Sequence, residues 1–220
     1  MAADLKTDGK LYELEEMVRA NCGDCVGCHD CCVGMGESIV LDPYDVWMLK
    51  NNLGKTMEQL LGQRLLSLGM EKGFVLPHVQ MAQDSDACPF LNGLGRCSIH
   101  GFRPGMCRLF PLGRNYSDGK LSYILLTEEC KKKNRSKMKV SQWIDIFPAE
   151  KYHTFVLQWH EFRVRIGERM RDMQEEQIKK VLMCVLKELY FLDETESENI
   201  FELLVKKMDE LEKSLESIDK

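Results

Sequence analysis

Residues 22–32 read C-G-D-C-V-G-C-H-D-C-C, so five of the chain's ten cysteines fall within eleven residues. The first four are spaced three residues apart, and Cys32 follows Cys31 directly. A thiol binds metal well only as a thiolate, and a metal ion is what makes several neighbouring thiolates tolerable. Such a run therefore indicates either a metal site or a disulfide framework.

Composition favours the metal site. The chain opens M-A-A-D-L-K-T-D-G-K, without the apolar region of a signal peptide, and no stretch approaches the length of apolar sequence that spans a membrane. We therefore expect a cytoplasmic protein whose thiols stay reduced. With 220 residues, 44% of them hydrophobic, the chain can bury a core without disulfides. A net charge of −5 argues against a dedicated nucleic-acid binder.

The adjacent pair Cys31 and Cys32 suggests more than one metal ion or a multinuclear cluster. Neighbouring side chains point to opposite sides of a strand and diverge by about 100° on a helix, so the two sulfurs cannot both point the same way. They either serve different metal ions, or one binds metal while the other packs.

Two cysteines further along are predicted to lie side by side. The segment C-P-F-L-N-G-L-G-R-C, residues 88–97, has the residues of a tight hairpin with its turn near residues 92–95. Such a hairpin brings Cys88 next to Cys97. A second hairpin is predicted over residues 112–126, with its turn at Asp118-Gly119.

The next cysteine, Cys107, lies between two arginines. Guanidinium groups beside thiolates can donate hydrogen bonds to sulfur and offset the negative charge of a cluster. We therefore expect Arg103 or Arg108 to contact a ligand, although both fit ordinary surface arginines as well. Cys130 is as consistent with joining the metal site as with lying apart from it.

Helical periodicity on both sides of a short extended middle predicts a mainly α protein with a small antiparallel β element. One helix is predicted within residues 11–20. Two more begin at the cap residues Asp42 and Thr56, and the first of these ends at Gly54. From Trp143 onward the pattern is helical to the end of the chain.

Two regions are expected. Residues 1–140 would form the cysteine-cluster metal-binding domain, and residues 141–220 a helical C-terminal region. In the helical region Cys184 is predicted to be a buried thiol, and Thr195 with Glu198 resembles the capping box of a last helix. The basic run of residues 131–139 fits either a solvated connection or a docking patch for an acidic partner.

The cysteine motifs resemble those of a known family. The pattern Cys25-x-x-Cys28-x-x-Cys31-Cys32, followed by Cys88-Pro89-Phe90-Leu91, Cys97-Ser98-Ile99-His100 and Arg103-Pro104 with Cys107-Arg108-Leu109-Phe110-Pro111, is similar to the YkgJ-type CxxCxxCC family, described as a zinc- or iron-chelating domain. The resemblance covers roughly residues 22–130. It implies these cysteines as ligands, an iron–sulfur oxidoreductase as one function, and a relation to flagellin lysine-N-methylase, which contains the same cluster.

The predicted cofactor is an iron–sulfur cluster of the ferredoxin kind, such as 4Fe–4S, because C-x-x-C-x-x-C is a spacing that holds such clusters. Zinc is the alternative, since paired C-x-x-C knuckles also form closed four-cysteine sites. The predicted metal ligands are Cys22, Cys25, Cys28, Cys31, Cys32, Cys88, Cys97, Cys107 and Cys130, with Arg103 and Arg108 beside the cofactor. No catalytic residue is assigned.

The leading functional hypothesis is a redox or cluster-dependent enzymatic role with a protein or electron-transfer partner and no nucleic acid or membrane. One alternative is a structural zinc domain that docks a protein partner. Another is a flagellin-type protein lysine N-methyltransferase, although neither a glycine-rich strand-to-helix turn nor the C-x-x-x-C-x-x-C spacing of radical chemistry occurs in the chain.

Overall fold

The computed structural model describes residues 6–23, 25–26, 28–132, 134–192 and 199–216. Within these ranges the chain forms seven α-helices and six strands, and the strands pair into three separate two-stranded antiparallel sheets. The protein is therefore mixed α/β. The prediction of a small antiparallel β element is confirmed, whereas the mainly α class was too narrow. None of the helices in these ranges combines the length and the apolar character needed to cross a membrane.

The helices are α1 Pro43–Leu53, α2 Met57–Gly62, α3 Gly105–Leu109, α4 Val140–Ile144, α5 Ala149–Met170, α6 Glu175–Tyr190 and α7 Ile200–Glu216. The strands are β1 Met17–Asn21, β2 Leu66–Glu71, β3 Phe74–Val79, β4 Leu112–Ser117, β5 Lys120–Leu125 and β6 Ser136–Lys139. β1 pairs with β6, β2 with β3, and β4 with β5.

The chain forms two compact units, each made of two separate stretches. The first contains Met1–Met35 and Met81–Leu157, and the second contains Gly36–Gln80 and Gln158–Lys220. All the cysteines except Cys184 belong to the first unit. That residues 1–140 and residues 141–220 act as two functional domains stays a prediction.

In the second unit, the predicted helix starts are confirmed. Asp42 and Asp45 form a reciprocal capping box at the start of α1, and Gly54 ends that helix in a left-handed conformation. Thr56 and Gln59 form the same kind of box at the start of α2. These boxes satisfy backbone N–H groups that a helix leaves unpaired at its first turn, which is why the local sequence predicts them.

Helices α6 and α7 confirm the helical prediction for the C-terminal region. The prediction that Cys184 on α6 is buried is contradicted. The buried stripe of α6 runs through Val181, Val185 and Leu189. A helix turns by about 100° per residue, which places Cys184 off this stripe. Its side chain is exposed, so the prediction of a buried thiol was wrong. The proposed box of Thr195 and Glu198 lies outside the described residues.

In the first unit, the predicted helix within residues 11–20 is wrong. Residues 17–21 form strand β1 instead, with Val18 and Ala20 buried and Met17 and Arg19 exposed. This alternation is the period of a strand with one buried face. The pairing partner is β6, inside the basic run and more than a hundred residues later, so local spacing did not reveal it.

The second predicted hairpin is confirmed as β4 and β5. Its turn residues Asp118 and Gly119 have φ values of 51° and 68°. Two consecutive residues with positive φ match the turn that follows the right-handed twist of paired strands. The hairpin leads the chain directly to Cys130.

Gly105 begins α3, the helix that carries Cys107, and it packs against the side chain of Tyr152. A Cβ atom at Gly105 would overlap the Tyr152 hydroxyl oxygen and lie 3.2 Å from Nη2 of Arg114. We expect Gly105→Ala to lower the free energy of unfolding by about 1–3 kcal/mol, because buried overpacking costs about this much. Chemical denaturation measures it.

Gly101→Ala is the matched control, because a Cβ atom there would meet nothing within 4 Å. Equal stability of the Gly105→Ala and Gly101→Ala variants would show that the contact between Gly105 and Tyr152 is not tight.

Candidate metal centre

The first part of the cysteine run forms a tight turn at the end of β1. Asn21 is the last residue of that strand, and its side-chain oxygen accepts a hydrogen bond from the backbone N–H of Gly23 at 3.0 Å. Gly23 and Cys25 both have positive φ, 72° and 57°. This left-handed backbone folds the chain back on itself, so the sulfurs of Cys22 and Cys25 lie 3.7 Å apart.

The second part of the run is a single turn of 3₁₀ helix over Asp30–Cys32. The thiol of Cys28 donates to Oδ2 of Asp30 at 3.2 Å. The other carboxylate oxygen of Asp30 accepts from Nζ of Lys131 at 3.0 Å. Asp30 therefore connects the N-terminal run to the segment that follows Cys130. Sequence reasoning did not single out Asp30 or Lys131, although both are within two residues of predicted ligands.

Five thiols line one cavity of about 220 Å³. They are Cys22, Cys25, Cys28, Cys31 and Cys130. The remaining lining residues are Asp30, Met35, Phe110, Glu129, Lys131 and Lys132. The structure thus brings Cys130 to the N-terminal run, a point that the sequence left open. Whether each thiol binds metal stays a prediction.

The segment that carries Cys130 is bonded to Val26 and Asp30 of the cysteine run. Lys131 makes the ion pair with Asp30, and Lys132 Nζ donates to the carbonyl oxygen of Val26 at 3.3 Å. The Lys131 side chain is 75% exposed, so its ion pair adds little to stability. The two bonds nevertheless show that the segment after Cys130 lies against the cysteine run.

The segment of residues 88–97 forms the predicted tight turn, as a single bridge between Leu91 and Cys97 rather than as two strands. The N–H of Gly95 donates to the carbonyl of Asn92 at 2.9 Å and closes the turn. The N–H of Cys88 donates to the carbonyl of Cys32 at 2.8 Å. This bond attaches the turn to the end of the cysteine run.

Cys31 lies near thiols of two segments, the cysteine run of residues 22–32 and the turn of residues 88–97. Burial, followed by the adjacent Cys22, raises the pKa of Cys25 to about 12, and Cys31 adds to this effect. Burial also raises the pKa of Cys88 and of Cys97, and the charge of a Cys31 thiolate again adds to both shifts. The hydrogen bond with the side chain of Cys32, and then burial, raises the pKa of Cys31 itself. The two adjacent thiols are therefore in contact, so the expectation that their sulfurs point to different sides was wrong.

The raised pKa values mean that these thiols are protonated in the metal-free protein at neutral pH. A metal binds the thiolate, so metal binding has to release these protons. Binding should therefore weaken as the pH falls.

The two arginines near Cys107 have different surroundings. Arg108 is buried, with its side chain 4% exposed, and all three of its nitrogens donate to oxygen atoms. Nε donates to the carbonyl of Arg103 at 3.0 Å, Nη1 to the carbonyl of Asp145 at 2.9 Å, and Nη2 to the carbonyl of Gly101. Arg108 thus fixes the loop before α3.

The charge of Arg103 acts on two of the thiols. Its positive charge opposes the rise in the pKa of both Cys25 and Cys97, which burial causes. Its Nη1 donates to the carbonyl of His100 at 2.8 Å. Arg103 is therefore the better candidate for the predicted role beside the cofactor.

The donor set fits zinc or iron, although the thiols are not closed around a metal position. Thiolate sulfur is a soft ligand that suits both zinc and iron–sulfur clusters. Among the described residues, no three histidine, cysteine, aspartate or glutamate side chains are grouped closely enough to hold an ion. In the same ranges, Cys32, Cys88, Cys97 and Cys107 are not part of the cavity lining.

Residues 24–131 match a protein-family model described as "CxxCxxCC: Putative zinc- or iron-chelating domain". The cysteine-rich part of the chain therefore matches this family, and the resemblance predicted from the motifs is confirmed. A search of curated proteins and a search of solved structures each found no match. The relation to flagellin lysine-N-methylase stays a prediction.

Proposed function

We propose that the protein binds an iron–sulfur cluster in the cavity lined by the five thiols and uses it in electron transfer. The size of the cavity is the observation that carries this proposal. One water molecule takes about 30 Å³ in the liquid, so a cavity of about 220 Å³ has room for a group of several atoms. A closed four-cysteine zinc site needs room for a single ion only.

The ligands of this cluster would be Cys25, Cys28, Cys31 and Cys130, since clusters of the ferredoxin kind take four thiolates. When bound, such a cluster accepts and releases single electrons. Lys131 and the nearby Arg103 offset the negative charge of a thiolate-bound group. The redox role implies an electron donor or acceptor as partner.

Zinc is the second candidate, and one distance is compatible with it. Zinc–sulfur bonds of about 2.3 Å in a tetrahedron place two sulfurs about 3.8 Å apart. The sulfurs of Cys22 and Cys25 are 3.7 Å apart. In this case the metal would have a structural role, and the domain would act by docking a protein partner.

Anaerobic purification followed by metal analysis and a visible absorption spectrum separates the two candidates. If the protein binds an iron–sulfur cluster, we expect coloured protein that contains iron and acid-labile sulfide. The colour should bleach on chemical reduction. Colourless protein containing stoichiometric zinc and no iron would overturn it.

Arg103→Gln is expected to leave the metal bound and to shift its reduction potential downward. A positive charge stabilises the reduced, more negative state of a cluster, and a unit charge within about 10 Å contributes on the order of 1–2 kcal/mol, or tens of millivolts, at an effective dielectric constant near 20. Protein-film voltammetry of the wild type and the variant measures the shift.

Arg171→Gln is the matched control, because Arg171 is exposed beyond the end of α5. If the Arg103→Gln and wild-type potentials agree, Arg103 does not act on the cofactor.

A further inference from the structure

Cys22 differs from the other four thiols of the cavity. It lies outside the family match of residues 24–131, directly after the last residue of β1. Its sulfur is in contact with the sulfur of Cys25 at 3.7 Å. A cluster takes four thiolates, and four line the cavity without Cys22. The fifth thiol is therefore available for other chemistry.

We propose that Cys22 is the redox partner of Cys25, and that oxidation joins the two in a disulfide which withdraws Cys25 from the metal centre. The inference rests on the proposed function, in which Cys25 is a ligand. It gives the centre a regulatory state in which the protein cannot hold its metal.

The local geometry favours Cys22 as the partner of Cys25. A disulfide needs the two sulfurs about 2.05 Å apart, so the observed contact has to close by less than 2 Å. Two residues separate Cys22 from Cys25, as in the C-x-x-C motif of thiol–disulfide enzymes. The turn at Gly23 already brings the sulfurs together, whereas the thiol of Cys28 is engaged with Asp30.

Small oxidants can reach both sulfurs, because Cys22 and Cys25 are half-buried and line the same cavity. With hydrogen peroxide as the oxidant, the step is balanced as follows. Two S–H bonds and the O–O bond break, one S–S bond forms, and the two sulfurs pass two electrons and two protons to peroxide. The products are the disulfide and two molecules of water.

Disulfide mapping of the metal-free protein tests the pairing. The full chain, freed of metal by a chelator under reducing conditions, is treated with an equimolar amount of hydrogen peroxide and digested without reduction. We expect mass spectrometry to find Cys22 linked to Cys25 as the main product. Cys184→Ser should keep this link, and Cys22→Ser should lose it. A different main pair in the wild type, or none, would overturn the inference.

Metal uptake tests the role of Cys22. Under reducing conditions, reconstitution with iron and sulfide should load Cys22→Ser as fully as the wild type, whereas Cys25→Ser should lose most of its uptake. After peroxide treatment, the wild type should lose most of its uptake and Cys22→Ser should keep it. An uptake by reduced Cys22→Ser as low as that of Cys25→Ser would make Cys22 a ligand and overturn the inference.

The two proposals fail in different ways. If reduced wild-type protein takes up no iron, the proposed function is wrong, while the disulfide map still decides whether Cys22 and Cys25 pair. If the wild type takes up iron but forms no such link, the proposed cluster remains supported and the proposed disulfide between Cys22 and Cys25 is wrong.

Discussion

Cys28→Ser is expected to lose most of the bound metal and to unfold at a clearly lower temperature than the wild type. Cys28 lines the cavity beside Cys25 and Cys31, and a serine hydroxyl replaces a thiolate poorly. Structural metal sites contribute on the order of 10 kcal/mol to folding, so loss of a ligand should cost several kcal/mol. For a chain of this size, each kcal/mol shifts the melting temperature by about 2–4 °C. Metal analysis and thermal denaturation of the same samples measure both effects.

Two further substitutions complete this experiment. Cys184→Ser is the control, because Cys184 is exposed on α6 in the second unit, and both readouts should match the wild type. Cys97→Ser should keep the metal, because Cys97 does not line the cavity that holds the four proposed ligands. A lower metal content in Cys97→Ser would show that the turn of residues 88–97 also supplies a ligand.

Arg108→Ala is expected to destabilise the first unit even in the absence of metal. The buried guanidinium donates to the carbonyls of Gly101, Arg103 and Asp145, and truncation leaves these oxygen atoms without their donor. Buried acceptors without a partner cost about 1–3 kcal/mol each, less where water replaces the donor, so we expect a total loss of about 2–5 kcal/mol. Because Arg108 fixes the loop that carries Arg103, the reduction potential of the bound cluster should shift downward as well.

The measurement is chemical denaturation of metal-free protein, with Arg171→Ala as the control. Arg108→Lys should recover only part of the stability, since an ammonium group lacks the planar arrangement of donors that reaches three carbonyls. If metal-free Arg108→Ala and Arg171→Ala unfold at the same denaturant concentration, the bonds of Arg108 do not hold the loop.

The parts of the fold that were predictable are those governed by neighbours in sequence. The helix cap at Asp42 and the turn at Asp118-Gly119 depend on residues within a few positions of each other, and the structure contains both. The cysteine run was recognisable for the same reason, because its spacing alone matches a known motif. The tight turn before Cys97 is also local.

The parts that were missed depend on contacts between distant segments. Strand β1 forms because β6 pairs with it, and nothing within residues 11–20 identifies that partner. Cys130 reaches the cavity through bonds such as the one from Lys131 to Asp30, a hundred residues earlier. The difference between Arg103 and Arg108 arises in the same way, since Arg108 finds Asp145 only in the folded chain.

Native mass spectrometry of anaerobically purified protein identifies the bound group, because it counts metal and sulfide in each intact chain. We expect a mass increase that corresponds to several iron atoms and sulfides together, and its loss in Cys28→Ser. A mass increase of one or two zinc ions without sulfide would contradict the iron–sulfur proposal, and a metal-free mass in the reduced wild type would contradict metal binding through these thiols.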